Sequence, residues 1–300
     1  MNVIDPTFIT DAILTSSSVA EPEAGYTAYN PASSYADKAH VWVAATHRRY
    51  EAIGALTAGF YPPDHPEKWL VLGSTNRWAM FDQAAGSRTT DTGQIEVVLT
   101  PGRINSVALL DLDAKQVTVD VHVSGVLKYT RTQVTAVGGV PIDNWYDWFF
   151  APIGTRTTLL FDDLPAYRNS VVTVTIDATG SGETVSCGTL LIGSMFDLGT
   201  TLSGVDIGID DFSSKTRDQF GTRTIVERPY VDTVSYQIAM PSARVDAVKT
   251  TLASFRATPT LYIGNKTIDS TFTYGTWRSF RINLARLTGM SNLSLDVESL

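Results

Sequence analysis

The sequence predicts a mainly β protein in three parts. These are a small amino-terminal β module, a central antiparallel sandwich of jelly-roll type, and a carboxy-terminal α+β domain with one main helix. Three observations predict it. Apolar and polar residues alternate through most segments, as they do on strands with one buried face. Turn signals rich in Gly, Pro, Asn and Asp recur at short intervals. Only one stretch carries helical spacing.

Residues 1–30 read as an arm and linker, because "SSSVAEPEAG" (16–25) is small, polar and proline-containing. Residues 31–83 read as the small module. In "SYADKAHVWVAATHRRYEAIGAL" alternation makes Val41, Val43 and Tyr50 candidates for burial, and "YPPDHPEKW" is a proline-stiffened loop ending at Trp69. Residues 84–195 read as the sandwich. "VTVDVHV" (117–123) sets four valines on one face, and "VVTVTI" (171–176) turns Val172, Val174 and Ile176 inward; "TPGR", "AVGGVP" and "DATGSGE" separate such strands. Residues 196–300 read as α+β. In "SARVDAVKTTLASFR" (242–256) Val245, Val248, Leu252 and Phe255 fall at helical spacing, Ser242 is the expected N-cap, and Pro259 prevents continuation. "TVSYQIAM", "TPTLYIG" and the last two apolar stretches supply the flanking strands. No internal repeat of fixed period occurs.

Composition bounds the function. Three hundred residues with 43% hydrophobic and 18% charged residues make a globular chain with a sizeable core. The formal net charge of −8 argues against a nucleic-acid partner, which needs a basic surface. A single cysteine, Cys187, allows no intramolecular disulfide and no cysteine-based metal cluster. The amino terminus has no basic leader and the apolar runs are short, so neither a secretory signal nor a membrane span is expected, and folding in a cytoplasm is.

Catalytic motifs are sparse. There is no G-x-S-x-G elbow, no phosphate-binding G-x-x-x-x-G-K-[ST] loop and no H-E-x-x-H helix. His40, His47, His65 and His122 lack metal-ligand spacing, so no metal or cofactor is expected and each reads as structural or solvated. A glycosidase would need two carboxylates at a set separation, and Asp143 and Asp147 flank the aromatic "NWYDWFF". The plainer reading of these two, and of Asp162-Asp163 and Asp210-Asp211, is loop carboxylates. Aromatics carry more signal: six Trp and twelve Tyr suit either a core or a carbohydrate site, where rings stack on sugar C–H faces. The pool is Trp42, Tyr50, Trp69, Trp78, Trp145 and Trp148. One run concentrates them, "WLVLGSTNRWAMFDQ" (69–83). Trp69 is expected to close the module, and Gly73–Arg77 to pass the chain onward. Trp78, Met80 and Phe81 are expected to lock module to sandwich, with Trp78, Met80 and Asp82 on one strand face and Ala79 and Phe81 on the other.

Two resemblances follow from quoted residues. "YADKAHVWVAATHRRYEAI" followed by "PPDHPEKW" resembles the small chitin-binding type-3 modules, with Tyr35, Val41, Tyr50, Ala52, Pro62 and Trp69 matching in order. Asp37-Lys38 stands where those modules usually have a Gly after the first Tyr. "GSTNRWAMFD", with "PGRINSVALLDLDA", "WYDWFFAPI", "GTLLIGSMFDLGTT" and "SFRATPTLYIG … YGTWRSFRI", resembles a family of bacteriophage and prophage tail proteins often labelled carbohydrate-binding; the likeness covers roughly residues 34–300. It implies a structural virion component of a tail tip or baseplate rather than an enzyme, built in the host cytoplasm. Its partners would be other tail proteins, further copies in a symmetric ring, and cell-surface glycan. On that reading Trp42, Tyr50 and Trp69 would contact carbohydrate, and Asn76, Arg77, Trp78, Phe81 and Asp82 would make interdomain or partner contacts. A stand-alone carbohydrate-binding protein and a glycan-degrading enzyme remain the alternatives.

Overall fold

The computed structural model describes residues 1–300 other than 85, 138–143, 146–148, 150–153, 181, 203, 218 and 285–288. Strands account for 52% of the chain and helical segments for 9%, so the protein is mainly β, with curled antiparallel sheets and one main helix near the carboxy terminus. The chain divides into two compact units: Thr7–Ile192, and Met1–Pro6 with Gly193–Leu300. The residues read as module and sandwich thus share one unit.

Strand β1 (Asn2–Pro6) belongs to the second unit. The first unit begins with β2 (Leu14–Ser17), followed by the module strands β3 (Thr27–Ala28), β4 (His40–Val43), β5 (Arg48–Ala52) and β6 (Trp69–Ser74). They form a four-stranded sheet in sequence order, antiparallel except for β3 against β4. Period-two alternation sends Val41, Val43, Tyr50 and Ala52 inward, where Leu56 and Trp69 complete a small core.

Eight strands build the sandwich: β7 (Thr89–Thr92), β8 (Gln94–Leu99), β9 (Ser106–Asp113), β10 (Gln116–Val123), β11 (Val126–Val134), then, after the short β12 (Ala136–Val137) and β13 (Gly154–Thr155), β14 (Leu159–Phe161), β15 (Ser170–Asp177) and β16 (Thr184–Asp197). One layer runs β11-β10-β15-β8, extended by β2, and the other β14-β9-β16-β7. The chain switches layers at nearly every connection, and this double order is that of a jelly roll. Val117, Val119, Val121, Val172, Val174 and Ile176 all lie in its core, as alternation predicts. Only the first nine residues of β16 belong to this unit.

In the second unit the end of β16 pairs with β1, and β1 with β22 (Thr260–Ile263). The order continues through β23 (Phe272–Asn283), β24 (Met290–Ser299) and β21 (Tyr230–Pro241) to β17 (Thr200–Thr201). Helix α1 (Val245–Ser254) buries Val248 and Leu252, with Phe255 just beyond it, against Tyr236, Ile238, Leu293 and Leu295. Trp277 anchors the helix by donating its indole N–H to the Leu252 carbonyl at 2.9 Å. Ser242 is not the cap expected: Ser242–Arg244 form a 3-10 turn, and the Ser242 hydroxyl meets Ser291 at 2.8 Å. A further ribbon leaves this sheet. Strand β18 (Asp206–Asp211) pairs with the first half of β21, and beyond it β19 (Ser214–Arg217) and β20 (Arg223–Val226) pair, among the described residues, only with each other.

Candidate functional site

The aromatic-rich run is a structural lock inside the first unit. Strand β6 ends at Ser74, and Gly73 sits at φ +106, in the left-handed region that glycine tolerates. Thr75 is wholly buried, and its amide donates to the His47 carbonyl at 2.8 Å. The chain then tightens into a 3-10 turn over Ala79–Phe81. The strand expected at 78–82 is therefore absent. A turn points Trp78 and Met80 to separate neighbours, whereas a strand would have set them on one face.

The lock centres on Glu21, whose side chain is 6% exposed. Its Oε1 accepts from the Thr75 hydroxyl at 2.8 Å and faces His47 Nδ1 at 2.9 Å; its Oε2 accepts from the Trp78 indole N–H at 3.1 Å. Arg77 lies 3.6 Å from the same carboxylate and donates from Nε to the Val19 carbonyl at 2.8 Å. The His47 ring stacks on Trp78 with centroids 4.1 Å apart, and its Nε2 meets Asp11 at 3.0 Å. A buried carboxylate needs such a set of donors to offset its lost hydration.

Asn76 continues the lock into the sandwich. Its amide donates to the Thr90 carbonyl at 2.8 Å and accepts from the Thr90 N–H at 2.9 Å, as an extra strand would. Thr89 joins the Asn76 carbonyl to the Met80 N–H, and Met80 sits in the jelly-roll core. Phe81 packs on that core and, edge-on, against Trp78 at 5.8 Å. Asp82 accepts from the Ser87 hydroxyl at 2.5 Å and the Ala84 N–H at 3.1 Å. Asn76, Arg77, Trp78, Phe81 and Asp82 therefore all make contacts within this unit. Sequence reading missed Glu21, because a stretch of linker composition gives no sign of one buried Val19 and one buried carboxylate.

The three expected sugar-contacting aromatics are not one surface. Trp69 is 1% exposed and Tyr50 3%, both in the module core, and Trp69 donates its indole N–H inward to the Phe60 carbonyl at 2.9 Å. Neither offers a free ring face, so that part of the expectation is corrected: period-two alternation from Val41 and Val43 carries Tyr50 to the inner side. Trp42 lies on the opposite, half-buried face of β4, directly across from Arg49. Here the structure supplies neighbours that sequence reading did not single out. Tyr26 stacks on His40 at 5.2 Å, Arg49 lies 5.6 Å above the Tyr26 ring, and Glu23 holds Arg49 at 2.8 Å. Tyr26 directly precedes β3, whose parallel pairing sets Thr27 opposite Val41 and so brings the Tyr26 ring to His40; the sequence does not display that pairing.

Asp143, Asp147 and Trp148 lie outside the described residues; Trp145 is exposed. Asp163 accepts from the Tyr129 hydroxyl at 2.6 Å and Arg131 at 2.7 Å. Burial pushes its carboxyl up, but those two donors outweigh this and hold it below the usual range. A groove in the second unit gathers Asp210, Asp296, Glu298 and Arg278. There Asp296 takes hydrogen bonds from Ser235 and Ser279 that keep it ionised, the reverse of what a proton-donating glycosidase acid needs. Among the described residues no three His, Cys, Asp or Glu side chains gather as a metal site, and no helix is long and apolar enough to cross a membrane. No protein-family model matches the chain, and no curated protein matches its sequence.

Proposed function

We propose that the chain is a structural subunit of a bacteriophage tail tip or baseplate, held among other tail proteins. It touches cell-surface glycan through the Trp42 face of its small module. The observation that carries the assembly reading is the apolar exposure of the ribbon in the second unit. Ile209 is 61% exposed, Tyr230 60% and Ile225 59%, with Ile207, Phe212 and Val226 also exposed. A monomer that works free in solution rarely presents so many large apolar side chains together. The resemblance of "GSTNRWAMFD" and the later stretches to phage tail proteins points the same way.

The glycan contact rests on Trp42 and Tyr26, half-buried rings beside the charged Arg49 and Glu23, with Glu51 3.2 Å from the His40 ring on which Tyr26 stacks, a mixture that suits sugar C–H faces and hydroxyls. Two experiments test the reading. Particles purified from an induced culture of the strain carrying this gene should contain the chain, and its absence from them would refute the structural role. Immobilised host glycan should bind the full chain and lose most binding in Trp42→Ala. Equal binding by a folded Trp42→Ala variant would remove the glycan contact and leave the structural role standing.

A further inference from the structure

We infer that the ribbon is a self-association arm: two copies of this chain lie with their ribbons side by side and antiparallel, the tip of each on the base of the other. The inference rests on the assembly reading above and names one partner for it.

The ribbon is built to be covered. Every residue of β18 and β20 is exposed, and β19 and β20 pair only with each other among the described strands. A two-stranded hairpin with no third strand and no packed face is marginal in water, so this one gains order from whatever lies on it. Its outward apolar residues fall at two levels: Ile207 and Ile209 at the base, two apart and on one side of β18, with Phe212 and Tyr230 at the end of that pairing, and Ile225 and Val226 toward the tip, adjacent and so on opposite faces of β20.

Charge selects the partner and its orientation. The tip, residues 214–228, carries Lys215, Arg217, Arg223 and Arg228 against Asp218 and Glu227, a balance of 4 − 2 = +2. The whole chain is at −8, so the remainder is at −8 − 2 = −10. The base strand carries Asp206, Asp210 and Asp211 and no cation of its own; Arg278 of β23 lies 4.0 Å from Asp210, and the strand keeps a net negative charge beside it. Arg217, Arg223 and Arg228 make no ion pair with the described residues of their own chain, and Lys215 pairs locally with Asp211 at 2.8 Å. A parallel alignment of two ribbons would set tip against tip and base against base, like charge on like. Antiparallel alignment sets each cationic tip on an anionic base and one of Ile225 and Val226, whichever faces the partner, on Ile207 and Ile209. One two-fold axis then satisfies both contacts and closes the pair.

The test is a charge exchange on the full chain, read by the mass in solution at low ionic strength. The parent is expected at doubled mass, falling to the monomer at high salt as the exposed charges are screened. Arg217→Glu with Arg223→Glu reverses the tip, and Asp206→Lys with Asp210→Lys reverses the base. All four positions are exposed, and unchanged near-ultraviolet circular dichroism confirms folding. Each reversed variant alone should be monomeric, and mixing the two should restore the doubled mass. A monomeric parent, a parent of any other mass, a tip-reversed variant that still pairs, or a mixture that stays monomeric would overturn the inference. So would a monomeric parent whose ribbon binds anionic vesicles, because the occupant would then be lipid. The two readings fail separately. A chain present in particles but monomeric in solution keeps the structural role and loses this arm. A chain absent from particles that still pairs through the arm does the reverse.

Discussion

Replacing Glu21 by Ala tests whether the aromatic-rich run is a lock. The substitution removes the acceptor shared by Thr75, Trp78 and His47, all partly or wholly buried, and leaves three donors facing a small void. Removing one partner of a buried charged set costs about 3–5 kcal/mol, more than an ordinary surface change by severalfold. For a unit the size of Thr7–Ile192, each kcal/mol lowers the midpoint by about 2–4 °C, so a fall of roughly 10 °C is expected. Glu21→Gln is the sharper control. It keeps an acceptor for Thr75 but turns an amide N–H toward the Trp78 indole N–H, for a loss of about 1–2 kcal/mol. Thermal and urea unfolding followed by tryptophan fluorescence read both variants, since Trp78 lies within the set. A double-mutant cycle with Thr75→Val should show coupling above about 0.5 kcal/mol, as contacting residues do. Glu21→Ala within about 0.5 kcal/mol of the parent would refute the lock and leave the run as ordinary core.

Three further outcomes are expected. Gly275 has room for no side chain, because a Cβ there would lie 1.9 Å from the Glu298 carbonyl oxygen across β23 and β24; Gly275→Ala should cost about 1–3 kcal/mol in urea unfolding, and an unchanged midpoint would contradict the pairing. The Ser235 and Ser279 hydroxyls, opposed by partial burial, hold the Asp296 carboxyl below its ordinary value, so their stabilisation is present above the unfolded-state pKa and is lost as pH falls through the folded one. The deficit of Ser279→Ala should therefore be largest near neutrality and shrink toward acid, and a deficit independent of pH would sink the assignment. Cys187 is fully buried, and burial, followed by the nearby Asp111 carboxylate, pushes its thiol up to about 12; the folded protein should resist a disulfide reagent at mildly alkaline pH and react on unfolding, whereas rapid labelling of the native state would show the core is open.

Much of the architecture was legible because it rests on local alternation. Val117, Val119 and Val121 and the helical face of Val248, Leu252 and Phe255 are buried as their spacing requires. What was illegible depends on partners far away in the chain. Val3 and Ile4 are fully buried because β1 pairs with β16 and β22, some two hundred residues on, so a segment read as a free arm is an interior strand. Val19 and Glu21 sit in a stretch whose small polar neighbours suggest a linker, yet the register of Thr75 and Trp78 encloses them. Ser242 has the chemistry of an N-cap, but the bond with Ser291 engages its hydroxyl elsewhere. Tyr50 and Trp69 went to the core for a related reason. A ring has the same letter whether it faces water or core, and only the strand register separates Trp42 from Tyr50.

The density of aromatics around Trp69 and Trp78 is then a consequence of size. A module of about fifty residues buries too little surface to hold itself firmly, and small domains commonly add disulfides or metals. With Cys187 alone and deep in another core, this chain cannot use a disulfide. It uses large rings instead: Trp69 with Tyr29 and Tyr35 edge-on at 6.1 and 5.2 Å, and Trp78 stacked on His47 over a shared carboxylate. Trp69 and Trp78 are committed to the interior, so the two largest rings of the run that looks most like a recognition motif serve packing. On the proposed reading, surface chemistry falls to two places outside these cores, the Trp42 face of the module and the polarised ribbon of the second unit. Variants of the lock should therefore change stability first and binding only through unfolding, while variants of those two surfaces should change binding with stability intact.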